Sequence, residues 1–298
     1  MDLNGDGKTD ILSGSYSHSG QKFMVGLFTV FWGQKARTWK RGEVLNGADG
    51  DPLIITAGDG KDADIDRICT RPTAVDLDGD GKLDIVSGNF RGTFAFFAGQ
   101  GKGKFAPKST LLMADGAPLA VQSHSDPCFV DWDRDGDLDL VTGSADGGVF
   151  LCENSGSAKE PKFNKPTTLF EAGTRSAERK LGDEHLTGPL RDTRVYVDDV
   201  NDDGKFDLLV GDCVSLMLPA AGVAPAAAAS KLRDWEAKAA QLQKTRPVEG
   251  QKGAEAAMKK YEKANEELQK ERKEFVTDER TGFIWVYYQK GTATSTGG

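Results

Sequence analysis

Hydrophobic residues along residues 1–218 fall in short runs bounded by Gly, Asp or Ser, the pattern of β-strands joined by tight turns. Thr73-Ala74-Val75, Cys128-Phe129-Val130 and Val195-Tyr196-Val197 each run into an acidic segment, and behind each acidic segment comes another apolar run ending in glycine. Aromatic and β-branched residues mark a third strand at Leu27–Trp32, Thr93–Phe97, Gly148–Cys152 and Gly282–Tyr287, side chains suited to a half-buried pleated surface. Weaker fourth runs lie between Lys104 and Leu112 and between Lys162 and Leu169.

The period changes over residues 219–279. Leu232, Trp235, Ala239 and Leu242 recur at helical spacing, as do Ala257, Tyr261, Ala264, Leu268 and Phe275 after the break at Arg246-Pro247-Val248-Glu249-Gly250. Two antiparallel helices that bury these narrow stripes against each other are expected, inserted between the second and third strands of the last strand set. Such a hairpin is either a decoration or an arm for a partner or a second copy. Residues 280–298 then supply a return strand and a flexible tail ending in Gly291-Thr292-Ala293-Thr294-Ser295-Thr296-Gly297-Gly298.

The acidic segments form an internal repeat, whose copies begin at residues 2, 76, 131 and 199, that is 74, 55 and 68 residues apart. They read Asp2-Leu3-Asn4-Gly5-Asp6-Gly7-Lys8-Thr9-Asp10, Asp76-Leu77-Asp78-Gly79-Asp80-Gly81-Lys82-Leu83-Asp84, Asp131-Trp132-Asp133-Arg134-Asp135-Gly136-Asp137-Leu138-Asp139 and Asp199-Val200-Asn201-Asp202-Asp203-Gly204-Lys205-Phe206-Asp207. The spacing leaves room for about four short strands per copy, one propeller blade each.

Composition agrees with many turns: 36 Gly and 11 Pro in 298 residues, with 8% aromatic residues. A formal charge of -8 argues against a nucleic-acid backbone as partner and points to cations. No apolar stretch of about 18 residues is present to span a membrane, and the start Met1-Asp2-Leu3-Asn4 is not a signal peptide. Cys69, Cys128, Cys152 and Cys213 are scattered without a Cys-x-x-Cys pair, so they read as buried thiols or as one or two disulfides.

Within each acidic segment, oxygens at positions one, three, five and nine, with the backbone carbonyl of position seven, can converge on one hard cation, and the glycine at position six permits the sharp turn. The expected metal ligands are therefore Asp2, Asn4, Asp6, Lys8 and Asp10; Asp76, Asp78, Asp80, Lys82 and Asp84; Asp131, Asp133, Asp135, Asp137 and Asp139; and Asp199, Asn201, Asp203, Lys205 and Asp207. Without a cation the packed carboxylates repel one another. Up to four calcium ions are expected, with the loops carrying Asn4 and Asn201 weaker for lack of a charge. An EF-hand is disfavoured, because its position-twelve glutamate is replaced here by Ser13, Ser87, Thr142 and Val210.

These loops, their flanking strands and the trailing glycines resemble the FG-GAP or VCBS repeats of integrin-α-type β-propellers. The resemblance implies an all-β fold, a β-propeller with about four blades visible, formed by residues 1–218 and carrying the helical insertion at 219–279. It also implies calcium held between the first two strands of a blade, and a role in extracellular adhesion or ligand binding. Seven blades are usual in that family. The first copy lacks a first strand and the last lacks a fourth, so the chain is expected to be a fragment or a small ring whose ends share a blade.

A second group of polar residues aligns at the opposite ends of the inner strands: Arg67, Cys69, Thr70 and Arg71; His124, Ser125 and Asp126; His185, Arg191, Asp192, Thr193 and Arg194. Arg71 and Arg194 could hold an anionic or sugar ligand, or the group could pair internally and cap strands. Catalysis would call on His124 with Asp126 or on Asp183-Glu184-His185, and no nucleophile elbow, phosphate loop or zinc-protease motif accompanies them. The expected function is a calcium-binding interaction module for a protein or carbohydrate, working outside the cytoplasm, with calcium mainly structural; the alternative is a polysaccharide-active lyase or hydrolase.

Overall fold

The computed structural model describes residues 1–18, 24–58, 60, 62–248 and 254–290. The expected tail at 291–298 lies outside them. The chain divides into two compact units: Met1–Gly173 with Gly188–Cys213 and the segment from Phe283 onward, and Thr174–Thr187 with Val214–Gly282.

The first unit is built from four antiparallel sheets of three or four strands, with two further two-stranded ribbons among the described residues. The first contains Ile11–Ser13, Thr29–Phe31 and Glu43–Val44. The second contains Arg71–Val75, Asp84–Gly88, Phe94–Phe97 and Thr110–Leu111. The third contains Asp126–Val130, Asp139–Gly143, Val149–Cys152 and Thr167–Phe170. The fourth contains Arg194–Asp198, Asp207–Gly211 and Ile284–Tyr287. In the last three sheets the acidic segment joins the first two strands at the same register, Val75 opposite Asp84, Val130 opposite Asp139 and Asp198 opposite Asp207.

Every residue of Asp84–Gly88 and Asp139–Gly143 is buried, because apolar side chains cover both faces of these strands. Phe28, Val30, Ile85 and Phe97 belong to one core; Val86, Phe94, Leu140 and Cys152 to a second; and Val141, Val149, Val195 and Val210 to a third. Consecutive sheets thus share cores in chain order.

The trailing glycine of the first three repeats marks a close approach between neighbouring sheets. A Cβ on Gly14, Gly88 or Gly143 would run into the carbonyl oxygen of Thr70, Ser125 or Thr193 respectively. The same three hydroxyl residues latch the sheets: Thr70 Oγ1 accepts from Ser15 N at 2.9 Å, Ser125 Oγ from Asn89 N at 3.1 Å and Thr193 Oγ1 from Ser144 N at 2.8 Å. A Cβ on Gly211 would clash with nothing and would make only an ordinary contact, with Arg194 Cβ at 3.8 Å.

Just beyond Gly211, Asp212 gathers three chain segments. Its Oδ2 accepts from Leu190 N at 3.1 Å and its Oδ1 from Phe283 N at 2.8 Å, while its own N–H donates to Phe283 O at 3.1 Å.

The second unit begins as a two-stranded ribbon, Val214–Pro219 with Val276–Thr281, and continues into helices Pro225–Gln243 and Ala254–Lys273. Pro225 opens the first helix at a position where its missing N–H costs no helical hydrogen bond. Met217, Leu232, Phe275 and Val276 form the unit's core, with Trp235 packed against it. Trp235 Nε1 donates to Leu268 O at 2.8 Å, Arg272 lies 5.7 Å over the Trp235 ring, and Lys238 pairs with Glu271 at 2.5 Å. The helices meet through Trp235 and Leu268, while Leu232 packs on the ribbon residues Met217 and Val276. The segment Thr174–Thr187 joins the ribbon through Gly182 N to Met217 O at 2.9 Å. Among the described residues no helix is long and apolar enough to cross a membrane.

Candidate metal centres

Position nine plays one role in all four loops. Asp10, Asp84, Asp139 and Asp207 are buried, and Oδ2 of each accepts from the N–H at position two, Leu3, Leu77, Trp132 or Val200, at 2.9, 2.9, 2.9 and 3.2 Å. Oδ1 of each accepts from a backbone N–H beyond the third strand, Gly33, Gly99, Asn154 or Gln289, at 2.7, 2.7, 2.7 and 3.0 Å. Burial pushes the Asp84 and Asp139 carboxyls up while these N–H donors pull them down.

Position three also behaves uniformly. Asn4, Asp78, Asp133 and Asn201 each accept from the N–H two residues on, at 2.9, 3.2, 3.2 and 2.9 Å, an Asx turn that shapes the loop.

Position one separates the loops into two kinds. Asp2 Oδ1 accepts from Gly5 N and Asp6 N at 2.9 and 3.0 Å, and its Oδ2 from Gly7 N at 2.7 Å. Asp199 likewise uses both oxygens, on Asp203 N at 3.0 Å and Gly204 N at 2.7 Å. Asp76 and Asp131 use only Oδ2, on Gly81 N at 3.0 Å and Gly136 N at 3.2 Å, leaving Oδ1 of each buried with no hydrogen-bond partner among the described residues. These two loops are the ones whose carboxylates converge: Asp76, Asp78 and Asp84, and Asp131, Asp133 and Asp139, each offer oxygens within 4.8 Å of one another. Both clusters can hold a metal ion. A buried carboxylate oxygen without a donor is costly, and a hard cation among three carboxylates is the chemistry that removes the cost.

Positions five and seven lie at the exposed side. Lys8 pairs with Asp6, Lys82 with Asp80 and Lys205 with Asp203, at 2.7, 2.5 and 3.0 Å, and the lysine hydrogen bond holds each of these carboxyls below the usual aspartate range. In the third loop position seven is Asp137, buried, its Oδ1 without a partner among the described residues, and pushed up by burial and by Asp135 and Asp139 beside it. Trp132 stacks on Phe206 of the fourth loop with centroids 6.5 Å apart, and a cleft lined by Trp132, Asp133, Arg134, Glu153, Lys205 and Phe206 opens there.

The second polar group is largely paired within itself. Arg71 Nη1 donates to His124 O at 2.6 Å, His124 Nδ1 lies 3.2 Å from Asp192 Oδ1, and Arg194 Nε stands 3.8 Å from Asp126 Oδ2. Cys69, His124 and Asp192 hold matching left-handed conformations, φ 60, 52 and 52°, one at the head of each inner strand. Burial pushes the Asp126 carboxyl up against the pull of Arg194 and Arg71. His185 is not in this group; it lies in the other unit, Nε2 2.6 Å from Ala177 O. All four cysteines are free thiols, and burial pushes Cys152 up to about 12. The sheet-latching role of Thr70, Ser125 and Thr193 was not legible in sequence, where a hydroxyl before a strand reads equally as a ligand contact.

Residues 76–142 match the model of an FG-GAP-like repeat, a stretch that begins at the second loop and ends within the strand after the third. A solved structure of the Photorhabdus luminescens Tc holotoxin pore is similar over 66% of this chain and 8% of its own, at 13% identity and a TM-score of 0.35. This chain thus spans a small fraction of that protein's length. No curated protein matches the chain.

Proposed function

We propose that this protein is a calcium-stabilised β-propeller module whose work is interaction with a protein or carbohydrate ligand outside the cytoplasm. The observation that carries the reading is the convergence of Asp76, Asp78 and Asp84, and of Asp131, Asp133 and Asp139, around buried oxygens that no donor among the described residues satisfies. Calcium suits such sites because it accepts irregular sets of six to eight oxygens, about 2.3–2.6 Å away, that carboxylates and loop carbonyls supply together. The FG-GAP-like repeat at 76–142 and the chain-order packing of four sheets support the propeller arrangement. Calcium in this reading is structural: it ties positions one and three to the position-nine aspartate, which already anchors the sheet. Millimolar calcium outside cells would keep even a weak site filled. The reading extends to all four loops, with Lys8, Lys82, Asp137 and Lys205 lending backbone carbonyls.

The ligand-binding part rests on family character and on surface chemistry, chiefly the aromatic and charged cleft beside Asp133. Thermal unfolding with excess calcium and with a chelator, together with a metal count on the purified chain, tests the core of the reading. Bound calcium and a higher Tm in its presence are expected; no bound metal and superimposable melts would sink it.

A further inference from the structure

We propose that the residue at position seven sets the order in which the loops take up metal, and that the third loop, with Asp137 there, fills first. The inference rests on the calcium reading above and concerns its ranking among sites.

The loops share one backbone arrangement at this point. Position-five Oδ1 accepts from position-seven N–H in every loop: Asp6 from Lys8 at 3.0 Å, Asp80 from Lys82 at 2.9 Å, Asp135 from Asp137 at 3.1 Å and Asp203 from Lys205 at 3.0 Å. Geometry being equal, the side chain is the variable. In three loops the lysine ammonium sits on the other oxygen of the position-five carboxylate, at 2.7, 2.5 and 3.0 Å. That carboxylate is an expected metal ligand, so the lysine is a tethered cation already occupying it. A metal must displace the ammonium or accept its repulsion.

The third loop has no such competitor. Asp135 keeps only the backbone contact among the described residues, and Arg134, the cation next to it, turns to the Gly204 carbonyl instead. Asp137 is 7% exposed with Oδ1 unpartnered, a second carboxylate held beside Asp135 without a donor. Summed over the odd positions one to nine, the third loop presents five carboxylates, the second four with one lysine, and the first and fourth three with one lysine. Charge count is one of the variables by which oxygen sites for hard divalent cations are tuned.

Calorimetric titration of the full chain with calcium tests this, followed in parallel by terbium emission excited through Trp132, which lies in the third loop. Wild type is expected to show one tight step ahead of weaker ones. Asp137→Lys should weaken that step roughly 10–100-fold, the range seen when groups supporting a metal site are removed. Lys82→Gln should tighten the second loop. Should Asp137→Lys fail to fold in chelator, Asp137→Asn carries the same test with a smaller shift. A folded Asp137 variant that keeps the tight step overturns the ranking alone; wild type that binds no calcium overturns the reading beneath it.

Discussion

The third and fourth repeats, Asp131–Gly143 and Asp199–Gly211, are written in the same thirteen-residue grammar and end as different devices. Both use the position-nine aspartate to clasp the backbone on either side, Asp139 on Trp132 and Asn154, Asp207 on Val200 and Gln289. They diverge at position one, where Asp131 leaves a buried oxygen unmet and Asp199 satisfies both of its own with loop N–H groups. They diverge again at the trailing glycine, where an added Cβ would clash with the Thr193 carbonyl in the third repeat and would make only an ordinary contact with Arg194 in the fourth. The comparison separates two functions of one motif. The position-nine clasp is common to both loops, whereas positions one and three differ, and in the third loop Asp131 and Asp133 come within 4.8 Å of one another and of Asp139, a cluster that can hold a metal ion.

The glycines give the largest expected contrast. Gly143→Ala drives a methyl into the Thr193 carbonyl and should cost about 3 kcal/mol in urea unfolding, whereas Gly211→Ala should stay within about 0.5 kcal/mol. Equal losses would erase the distinction between a glycine pressed against a neighbouring carbonyl and one that is not.

Next comes the calcium dependence of Tm. One site at a hundredfold excess over its Kd contributes about 2.7 kcal/mol, or roughly 5–10 °C for a domain of this size. Asp131→Ala should remove that much of the gap between calcium and chelator melts. Asp199→Ala should instead lower Tm in both conditions, since it strips donors of their acceptor whether or not metal is present. A mirrored result would reverse the assignment of the two loops.

Smaller again is Asn201→Asp, which gives the fourth loop the charge the third has. It should cost about 1 kcal/mol in chelator through carboxylate repulsion and widen the calcium gap; an unchanged gap would show that charge at position three is not the deciding variable.

The smallest effect is in pH, read by unfolding in chelator between about pH 3 and 6. Asp137 and Asp139 are pushed up when folded, so the folded state holds more protons, and stability falls as pH rises from the ordinary aspartate value through the raised ones. Asp203 is held down by Lys205, so its contribution is present above the ordinary value and is lost as pH falls through the lowered one. Asp137→Asn should flatten the first slope and Asp203→Asn the second.

Much of this was legible from residue order. Apolar runs ending at the acidic loops place the inner strands, because a strand buried on both faces must be apolar along its length, as Ile85-Val86 and Leu140-Val141 are. The ribbon Val214–Pro219 with Val276–Thr281 was not legible: its second strand is Thr277-Asp278-Glu279-Arg280 on an exposed edge, with no alternation to betray it. At the loops, sequence distinguishes Asn from Asp as a missing charge. It does not show that Asp2 and Asp199 turn both oxygens inward, since that depends on the carboxylate's rotation toward N–H groups three to five residues on. The arginines were ambiguous for a similar reason: whether Arg71 meets a ligand or the His124 carbonyl is decided by a neighbouring sheet far away in sequence.

Asp212 has a consequence for how this chain tolerates change. Standing where the chain leaves its sheet, it holds Phe283, where the chain rejoins it, and Leu190, ahead of the sheet's first strand, with one carboxylate. What is spliced between Cys213 and Phe283 then matters little to the strands on either side, because closing a loop costs only about 0.6 kcal/mol more for each doubling of its length. The position is a natural graft point, where helices can be traded for a short turn or a foreign domain while Ile284–Tyr287 still finds its place beside Asp207–Gly211.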